Sequence, residues 1–232
     1  MKVFSIKTII LIILLHLTGC AQEEGTEEFT PTDPNSVFKL FPYTYFLQIY
    51  DASYNLYNTN SSDGSVAFWQ SFQGAYAFTY NGESVISVRK FQMNYTTEGI
   101  GTFGEFFGHI YYSIDITDLR LLGFNDTLTG ISATSTTTTA IPEVALIGSS
   151  GNVGSYIDST GSTIVIDWEL MDGGNGFAKL VFSMTTTDQY NVLLFTSEES
   201  YLIDRLGNRS FLELVLYSNA LGSTLDLSGA KI

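Results

Sequence analysis

Hydrophobic and polar residues alternate with a period of two along most of the chain after residue 36. The clearest stretches are YYSIDITD at 111–118, TIVIDWELM at 163–171 and FLELVLYS at 211–218. The hydrophobic series in and beside them are Ile110, Tyr112, Ile114 and Ile116; Ile164, Ile166, Trp168 and Leu170; and Leu212, Leu214 and Leu216. This alternation predicts strands with one buried side and one solvent-facing side. Since no segment past residue 36 keeps a helical period, the sequence predicts an all-β protein.

Glycine-containing breaks separate these strand-like stretches. Three of them are NSSDGS at 60–65, YNGE at 80–83 and DGGNG at 172–176. Asn-Gly and Asp-Gly pairs favour the tight turns that connect neighbouring antiparallel strands. We therefore expect a hairpin connection at each break.

An internal repeat suggests how the strands are grouped. The only two tryptophans, Trp69 and Trp168, are 99 positions apart, and LGFNDTLTG at 122–130 matches LGSTLDLSG at 221–229 with the same offset. Order-preserving matches of this kind indicate duplication. The sequence thus predicts two tandem antiparallel β-sandwiches of immunoglobulin-like size, residues 37–130 and 131–232, joined near the threonine-rich segment 132–140. One large β-sandwich is the alternative.

The first nineteen residues have the pattern of a secretory signal peptide. Lys2 and Lys7 precede an apolar run at residues 9–17 made almost entirely of Ile and Leu. This run is shorter than the roughly 18 residues that a membrane-spanning helix needs. We therefore expect residues 1–19 to be a signal peptide.

The end of the apolar run, Leu17-Thr18-Gly19-Cys20, resembles the lipobox of bacterial lipoproteins. The resemblance implies cleavage before Cys20, acylation of that cysteine and anchoring in a membrane, for which two or three acyl chains suffice. Ala21 stands where an aspartate would resemble an inner-membrane retention signal, so we expect a bacterial cell envelope protein anchored in the outer membrane, on a face that the sequence does not specify. The alternative is an ordinary secretory signal.

Residues 20–36 form an acidic stretch, predicted to be a lipidated tether. Four glutamates lie soon after Cys20, and Pro31 and Pro34 follow. Acidic residues at this place resemble a surface-export signal of some bacterial groups, whereas composition alone also accounts for a solvated linker. As a flexible chain, the tether would place the folded part roughly 20–25 Å from the bilayer.

Charge and cysteine content exclude several kinds of function. The formal net charge is −14, and loss of Lys2 and Lys7 with the signal peptide makes it more negative by two. Such a chain is repelled by nucleic acid, so we expect no nucleic-acid partner. Because Cys20 is the only cysteine, no disulfide forms within the chain, and the core alone must support the fold.

Few residues suit catalysis. His109 is the only histidine after the signal peptide, and no G-x-S-x-G or nucleotide-binding loop is present. If Ile110 and Tyr112 face inward, His109 faces outward with Tyr111. Asp167 and Glu169 are two positions apart on one predicted strand face, which separates their Cα atoms by about 6.6–6.8 Å. This distance is within the range of carboxylate separations in glycosidases. The same spacing occurs on any solvated strand, so the sequence assigns no catalytic residue.

Metal sites have little support. A zinc site needs more His and Cys than the chain has. Oxygen-rich loops that suit calcium occur twice, with Asn58, Asn60, Ser62 and Asp63 in one and Asp172 and Asn175 in the other. The same residue types dominate ordinary turns. We therefore expect no metal and no cofactor, with calcium as the alternative.

The aromatic segment 41–57 is the predicted binding surface. Its candidate residues are Tyr43, Tyr45, Tyr50, Tyr54 and Tyr57. Tyrosine rings with their hydroxyl groups suit glycans and protein partners, although strands favour tyrosine in any case. The sequence thus indicates a non-enzymatic binding or structural module at the envelope for a protein or glycan partner. A glycan-directed envelope hydrolase that uses carboxylates only is the alternative.

Overall fold

The computed structural model describes residues 30–41, 52–58, 66–72, 78–97, 101–126, 130–219 and 222–232. These residues form fifteen β-strands and a single turn of 3₁₀ helix, Ile116–Asp118, which confirms the all-β class. No helix in this part of the chain has the length and hydrophobicity to cross a bilayer. The strands are β1 (Val37–Lys39), β2 (Ala52–Asn58), β3 (Val66–Phe72), β4 (Phe78–Tyr80), β5 (Glu83–Thr97), β6 (Gly101–Ser113), β7 (Leu121–Asp126), β8 (Ser132–Thr138), β9 (Val144–Leu146), β10 (Ser150–Asp158), β11 (Thr163–Gly174), β12 (Phe177–Thr187), β13 (Leu193–Ile203), β14 (Arg209–Ser218) and β15 (Ser223–Ala230).

Thirteen of these strands belong to one antiparallel sheet that closes on itself. Their order is β3-β2-β15-β14-β13-β12-β11-β10-β8-β7-β6-β5-β4, and β3 also pairs with β5. Every strand of the sheet except β4 therefore lies in a closed circuit. β1 and β9 form a separate two-stranded sheet. Closure gives the sheet an inner face that can exclude water and an outer face that meets it.

The tandem arrangement of two sandwiches is not confirmed. β7 and β8, on either side of the predicted boundary at residue 130, pair with each other, and β15 pairs with β2. The predicted joint, residues 132–140, is mostly occupied by β8. The repeat motif also has two different local structures: Gly130 precedes β8 with φ 70°, whereas Gly229 lies within β15.

Alternation places apolar side chains inside the closed sheet. Along β11, Ile164, Trp168 and Leu170 are buried, whereas Asp167 and Glu169 are exposed. One predicted stretch ends early, because β6 stops at Ser113. The Oδ1 atom of Asp115 accepts a hydrogen bond from the N–H of Thr117 and begins the 3₁₀ turn, which leaves Ile114 exposed.

The segment from Thr30 to Phe41 covers one end of the closed sheet. Its side chains Phe38, Leu40 and Phe41 are buried in the core, and the Phe41 ring meets Phe182 edge-on at 5.9 Å between centroids. The backbone of Thr30 pairs with Asn175 in the β11–β12 turn. Residues 30–36, which the sequence analysis assigns to the tether, are therefore attached to the folded body.

The connections at both ends of the sheet follow their sequences closely. Asn-Gly pairs form the β4–β5 and β11–β12 turns at 81–82 and 175–176, with positive φ at both residues of each pair, as the hairpin prediction requires. The third predicted break, 60–65, lies outside the described residues.

Three further hairpins share the pattern D-x-x-[GN]-x. In each, one carboxylate oxygen of the aspartate accepts hydrogen bonds from the N–H groups two and four residues later, and the fourth residue has positive φ. The turns are 158–162, 188–192 and 204–208. Side-chain acceptors thus replace water for backbone groups that the strands leave unpaired.

A candidate binding cleft on the outer face

The predicted tyrosine surface is only partly described by the structure. Cys20, Tyr43, Tyr45 and Tyr50 lie outside the described residues. Tyr54 is 1% exposed and belongs to the core, so it cannot form part of an exposed surface, and the prediction is corrected at this position. Tyr57 is 57% exposed.

The opposite placement of the two tyrosines follows from their phase in β2. Tyr54 is in phase with the buried Ala52 and Leu56, whereas Tyr57 is three positions from Tyr54 and faces the other side of the sheet. The period-two alternation in ASYNLYN predicts that Tyr54 and Tyr57 lie on opposite faces of the sheet. The aromatic content of the segment does not distinguish them.

A cleft of about 250 Å³ lies on the outer face of strands β11 to β14. Its lining combines acidic, basic, hydroxyl and apolar side chains. The lining residues are Asp172, Gly173, Lys179, Ser200, Leu202, Phe211 and Glu213. Because the side chains come from four neighbouring strands, the cleft is part of the sheet surface itself.

Two irregularities in strand pairing frame this cleft. In β11, Gly173 is skipped between the pairs that Asp172 and Gly174 make with β12. In β14, Ser210 is skipped between the pairs that Leu202 and Ile203 of β13 make with it. Bulges of this kind bend strands and redirect side chains. The two bulges lie beside the cleft, where the outer face of the sheet is concave.

Glycine at position 173 is needed for the shape of the cleft. A Cβ atom there would lie 2.7 Å from Cδ1 of Leu202 and 2.9 Å from the carbonyl carbon of Ala178. Contacts below 3.0 Å require one partner to move, and the backbone of Ala178 is fixed by the β11–β12 hairpin. Gly173 therefore lets Leu202 lie against β11 and form one wall of the cleft.

An ion pair crosses the cleft. Nζ of Lys179 on β12 contacts Oε2 of Glu213 on β14, and the two side chains are 34% and 40% exposed. Since β13 lies between these strands, the pair passes above Ser200 and Leu202. The buried Ser200 thus forms the floor of the cleft beneath two charged groups.

Asp172 adds a second carboxylate at the rim. Its side chain accepts hydrogen bonds from the N–H groups of Gly174, at 2.8 Å, and Thr32, at 3.1 Å. These backbone donors hold the pKa of Asp172 below its usual range. The N-terminal segment therefore fixes an ionised carboxylate at the edge of the cleft.

Tyr57 lies on the same outer row as the cleft. Glu213 pairs with Ser228 of β15, and Ser228 pairs with Tyr57 of β2. Two strand spacings, about 10 Å, therefore separate Tyr57 from Glu213 along the row. The one described and exposed member of the predicted tyrosine surface can thus extend the cleft surface.

A polar cluster occupies the inner face of the same strands. The hydroxyl group of Tyr201 donates a hydrogen bond to Oε1 of Glu199, and the guanidinium carbon of Arg209 lies 3.9 Å from the centroid of the Tyr201 ring. The Tyr54 ring is 6.4 Å from the Tyr201 ring. All four residues are buried. Burial, together with the negative charge of Glu199, raises the pKa of Tyr201 well above its usual value.

The residues considered for catalysis are not brought together at the cleft. His109 is half-buried, and its Nδ1 atom is 3.4 Å from the hydroxyl group of Ser87. Tyr111, predicted to face outward with it, is buried and stacks on Tyr80. Asp167 and Glu169 are exposed, and Oδ1 of Asp167 accepts a hydrogen bond from Asn152 at 2.8 Å.

Only some of the predicted calcium ligands lie in the described part of the chain. The described residues contain no group of three or more His, Cys, Asp or Glu side chains that could hold a metal ion. The oxygen atoms of Asp172 and Asn175 accept hydrogen bonds from the backbone of Gly174, Thr32 and Thr30. Asn60, Ser62 and Asp63 lie outside the described residues.

Comparison with protein-family models, with curated proteins and with solved structures finds no match for this chain. Sequence reasoning missed the cleft because its members are spread over positions 172–213. The available signal was the pair of bulge-forming segments, DGGNG and LGNRS, at the ends of otherwise regular strands.

Proposed function

We propose that this chain is a lipid-anchored bacterial envelope protein that acts as a non-enzymatic binding module for a protein or glycan partner. The observation that carries this proposal is the outer cleft, where Phe211 and Leu202 adjoin the Lys179–Glu213 pair. A concave place with apolar walls and a few oriented polar groups is the general form of a ligand site.

The resemblance to a lipobox supplies the anchoring part of the proposal. The cleft adjoins the segment that leads toward Cys20, because Thr32 bonds to Asp172. With Thr30 attached to the body, nine residues separate it from Cys20, and a flexible chain of that length spans about 15–18 Å. A lipidated chain would thus hold the cleft near the membrane surface.

Binding suits the geometry better than hydrolysis does. A glycosidase needs a desolvated acid and a second carboxylate on either side of the bond to be cleaved. Asp167 and Glu169 are exposed and do not line the cleft. Of the two carboxylates that do line it, Asp172 accepts hydrogen bonds from the backbone of Gly174 and Thr32, and Glu213 is paired with Lys179. Neither is the desolvated acid that a glycosidase needs.

Site-specific photo-crosslinking tests the binding part in intact cells. Phe211 is replaced by p-benzoyl-phenylalanine in one variant, and Tyr190, 76% exposed on the β12–β13 turn, is replaced in a control variant. We expect a discrete adduct from position 211 and none of the same mass from position 190. Equal adducts from both positions, or none from position 211, would contradict the proposal.

The anchoring part has its own test. Cys20→Ser should remove labelled fatty acid from the protein and either release it into the soluble fraction or leave it unprocessed. Wild-type protein should partition into detergent and carry the label. Wild-type protein that stays water-soluble and unlabelled would end the anchoring hypothesis without affecting the binding test.

A further inference from the structure

The charges around the cleft select against ionic ligands of either sign. Asp172 and Glu213 repel an anion, whereas a cation that bonds to Glu213 must displace Lys179, which already contacts that carboxylate. Like charges brought together in a binding site cost several kcal/mol, a penalty that a small site cannot easily offset. The lining therefore favours a ligand without net charge.

The hydrogen-bonding groups favour a ligand rich in hydroxyls. Lys179 only donates, the carboxylates of Asp172 and Glu213 only accept, and the hydroxyl of Ser200, which donates to Oε1 of Glu198, can still accept. A ligand that satisfies such a mixed set must itself donate and accept from adjacent positions. Vicinal hydroxyl groups do so, whereas a carboxylate only accepts.

The apolar part of the lining favours a ring. Leu202 and Phe211 lie side by side, since they form a cross-strand pair on the outer face. Aromatic side chains offer a flat face to which the C–H face of a saturated ring can pack. At about 250 Å³ the cleft is smaller than the roughly 300–1,000 Å³ of sites that enclose a drug-sized molecule, so it suits one ring of a ligand that extends beyond it.

We propose that the outer cleft is a subsite for one neutral sugar ring of a glycan. The ring packs its C–H face on Phe211, and its hydroxyl groups bond to the Lys179–Glu213 pair and to Asp172. The rest of the glycan continues along the outer row toward Tyr57. This inference rests on the proposed binding function and names its ligand class.

Isothermal titration calorimetry on the full-length protein in detergent tests the ligand class. The neutral probes are tetrasaccharides of β-1,4-glucose, α-1,4-glucose, α-1,2-mannose and β-1,4-N-acetylglucosamine. The charged probes are tetragalacturonate, tetraglucosamine and a lysine- and arginine-containing pentapeptide. We expect at least one neutral probe to bind and the anionic and cationic probes to bind at least about tenfold more weakly, a difference of about 1.4 kcal/mol.

Variants then assign the binding to the cleft. Phe211→Leu keeps an apolar side chain but removes the flat face, and Glu213→Gln keeps the size but removes the charge. We expect the Kd for the neutral sugar to rise about tenfold or more in each, with thermal midpoints close to wild type. Tyr190→Ala, on the distant turn, should leave the Kd within about twofold of wild type.

The outcomes separate this inference from the proposed function. If no neutral probe binds, if both cleft variants bind as wild type does, or if a charged probe binds best, the sugar subsite is wrong. A crosslinked adduct from position 211 in those cases keeps the binding function with a different ligand. Loss of both the sugar binding and the adduct removes the inference and the proposed function together.

Discussion

The two faces of strands β12 to β14 carry the same kinds of charged residue in opposite settings. On the inner face, Glu199 and Arg209 are buried on either side of Tyr201. The Tyr201 hydroxyl donates a hydrogen bond to Glu199, and its ring lies beneath the guanidinium group of Arg209. On the outer face, Lys179 and Glu213 meet directly with more than a third of each side chain in solvent. Exposure to solvent therefore distinguishes the two groups.

Solvent decides what each group can do. Buried charges lose their hydration and must be compensated by fixed partners, so removing any one partner is costly. Exposed pairs keep most of their hydration and contribute only about 0–1 kcal/mol. The inner cluster is thus bound into the fold, whereas the outer pair can exchange its contacts for those of a ligand at little expense in stability.

The largest effect is expected from Arg209→Met. This change removes one member of the buried cluster and leaves Glu199 charged in the core, so it should lower the free energy of unfolding by about 3–5 kcal/mol. Urea unfolding followed by tryptophan fluorescence measures it. The double variant Glu199→Met/Arg209→Met should recover at least half of the loss. A double variant less stable than Arg209→Met would show that burial does not govern the inner cluster.

Two adjacent apolar residues of β14 test the comparison of the inner and outer faces without a change of charge. Leu212 is fully buried on the inner face, and Phe211 is half-buried on the outer face. Leu212→Ala should cost about 2–5 kcal/mol because it leaves a cavity in the core. Phe211→Leu should cost less than about 1.5 kcal/mol. Equal losses in the two variants would mean that the outer face is as tightly packed as the core.

A smaller, pH-dependent effect is expected at Asp158, which is buried at the β10–β11 turn. Burial tends to raise its pKa, but hydrogen bonds from Thr160, Ser162 and Gly161 outweigh burial and lower the pKa below 3.8. A lowered pKa in the folded state adds stability that is complete above the unfolded-state pKa and is lost as pH falls through the folded-state pKa.

Asp158→Asn should therefore cost about 1–2 kcal/mol at pH 7, and the difference from wild type should shrink as the pH falls below about 3.8. Urea unfolding at pH 7 and near pH 3 measures both values. Glu169→Gln, which removes an exposed carboxylate from the same strand, is the control for the loss of one charge. A difference that grows toward low pH would contradict the assignment.

The smallest effect is expected at the outer pair. Lys179→Met keeps most of the side-chain length and removes the contact with Glu213. It should change the free energy of unfolding by less than about 1 kcal/mol, because both partners are more than a third exposed. The same unfolding experiment in 0.1 M and 1 M salt should give nearly equal values for this variant. A loss as large as that of Arg209→Met would abolish the distinction between the two faces.

Local features of the fold could be predicted from the sequence, since they depend on neighbouring residues. Period-two alternation in TIVIDWELM gives the inward and outward sides of β11, and the Asn-Gly pairs give two hairpin turns. Closure of the sheet could not be predicted in this way. Closure depends on pairing between β15 and β2, which are far apart in sequence and share no sequence pattern that predicts their pairing.

The buried cluster on the inner face was harder to predict than the strands, because glutamate and arginine usually lie at the surface. In FTSEESYLI, Glu198 and Glu199 are adjacent, but only Glu199 is in phase with Phe195, Tyr201 and Ile203 on the inner face. The alternation therefore predicts that Glu199 faces inward, although glutamate usually lies in water. The cleft itself needed the bulges at Gly173 and Ser210, whose positions follow from strand register.

The pairing of β15 with β2 has a consequence for how the molecule folds. Ser228 and Tyr57 are about 170 residues apart, and closing a flexible loop of that length costs about 4–5 kcal/mol of chain entropy. Such non-local contacts form slowly, after the local hairpins of β10 to β15 can already exist. Tyr54 of β2 reaches Tyr201 only when this seam closes. We therefore expect Glu199 and Arg209 to remain hydrated through most of folding and to enter the core in its final step.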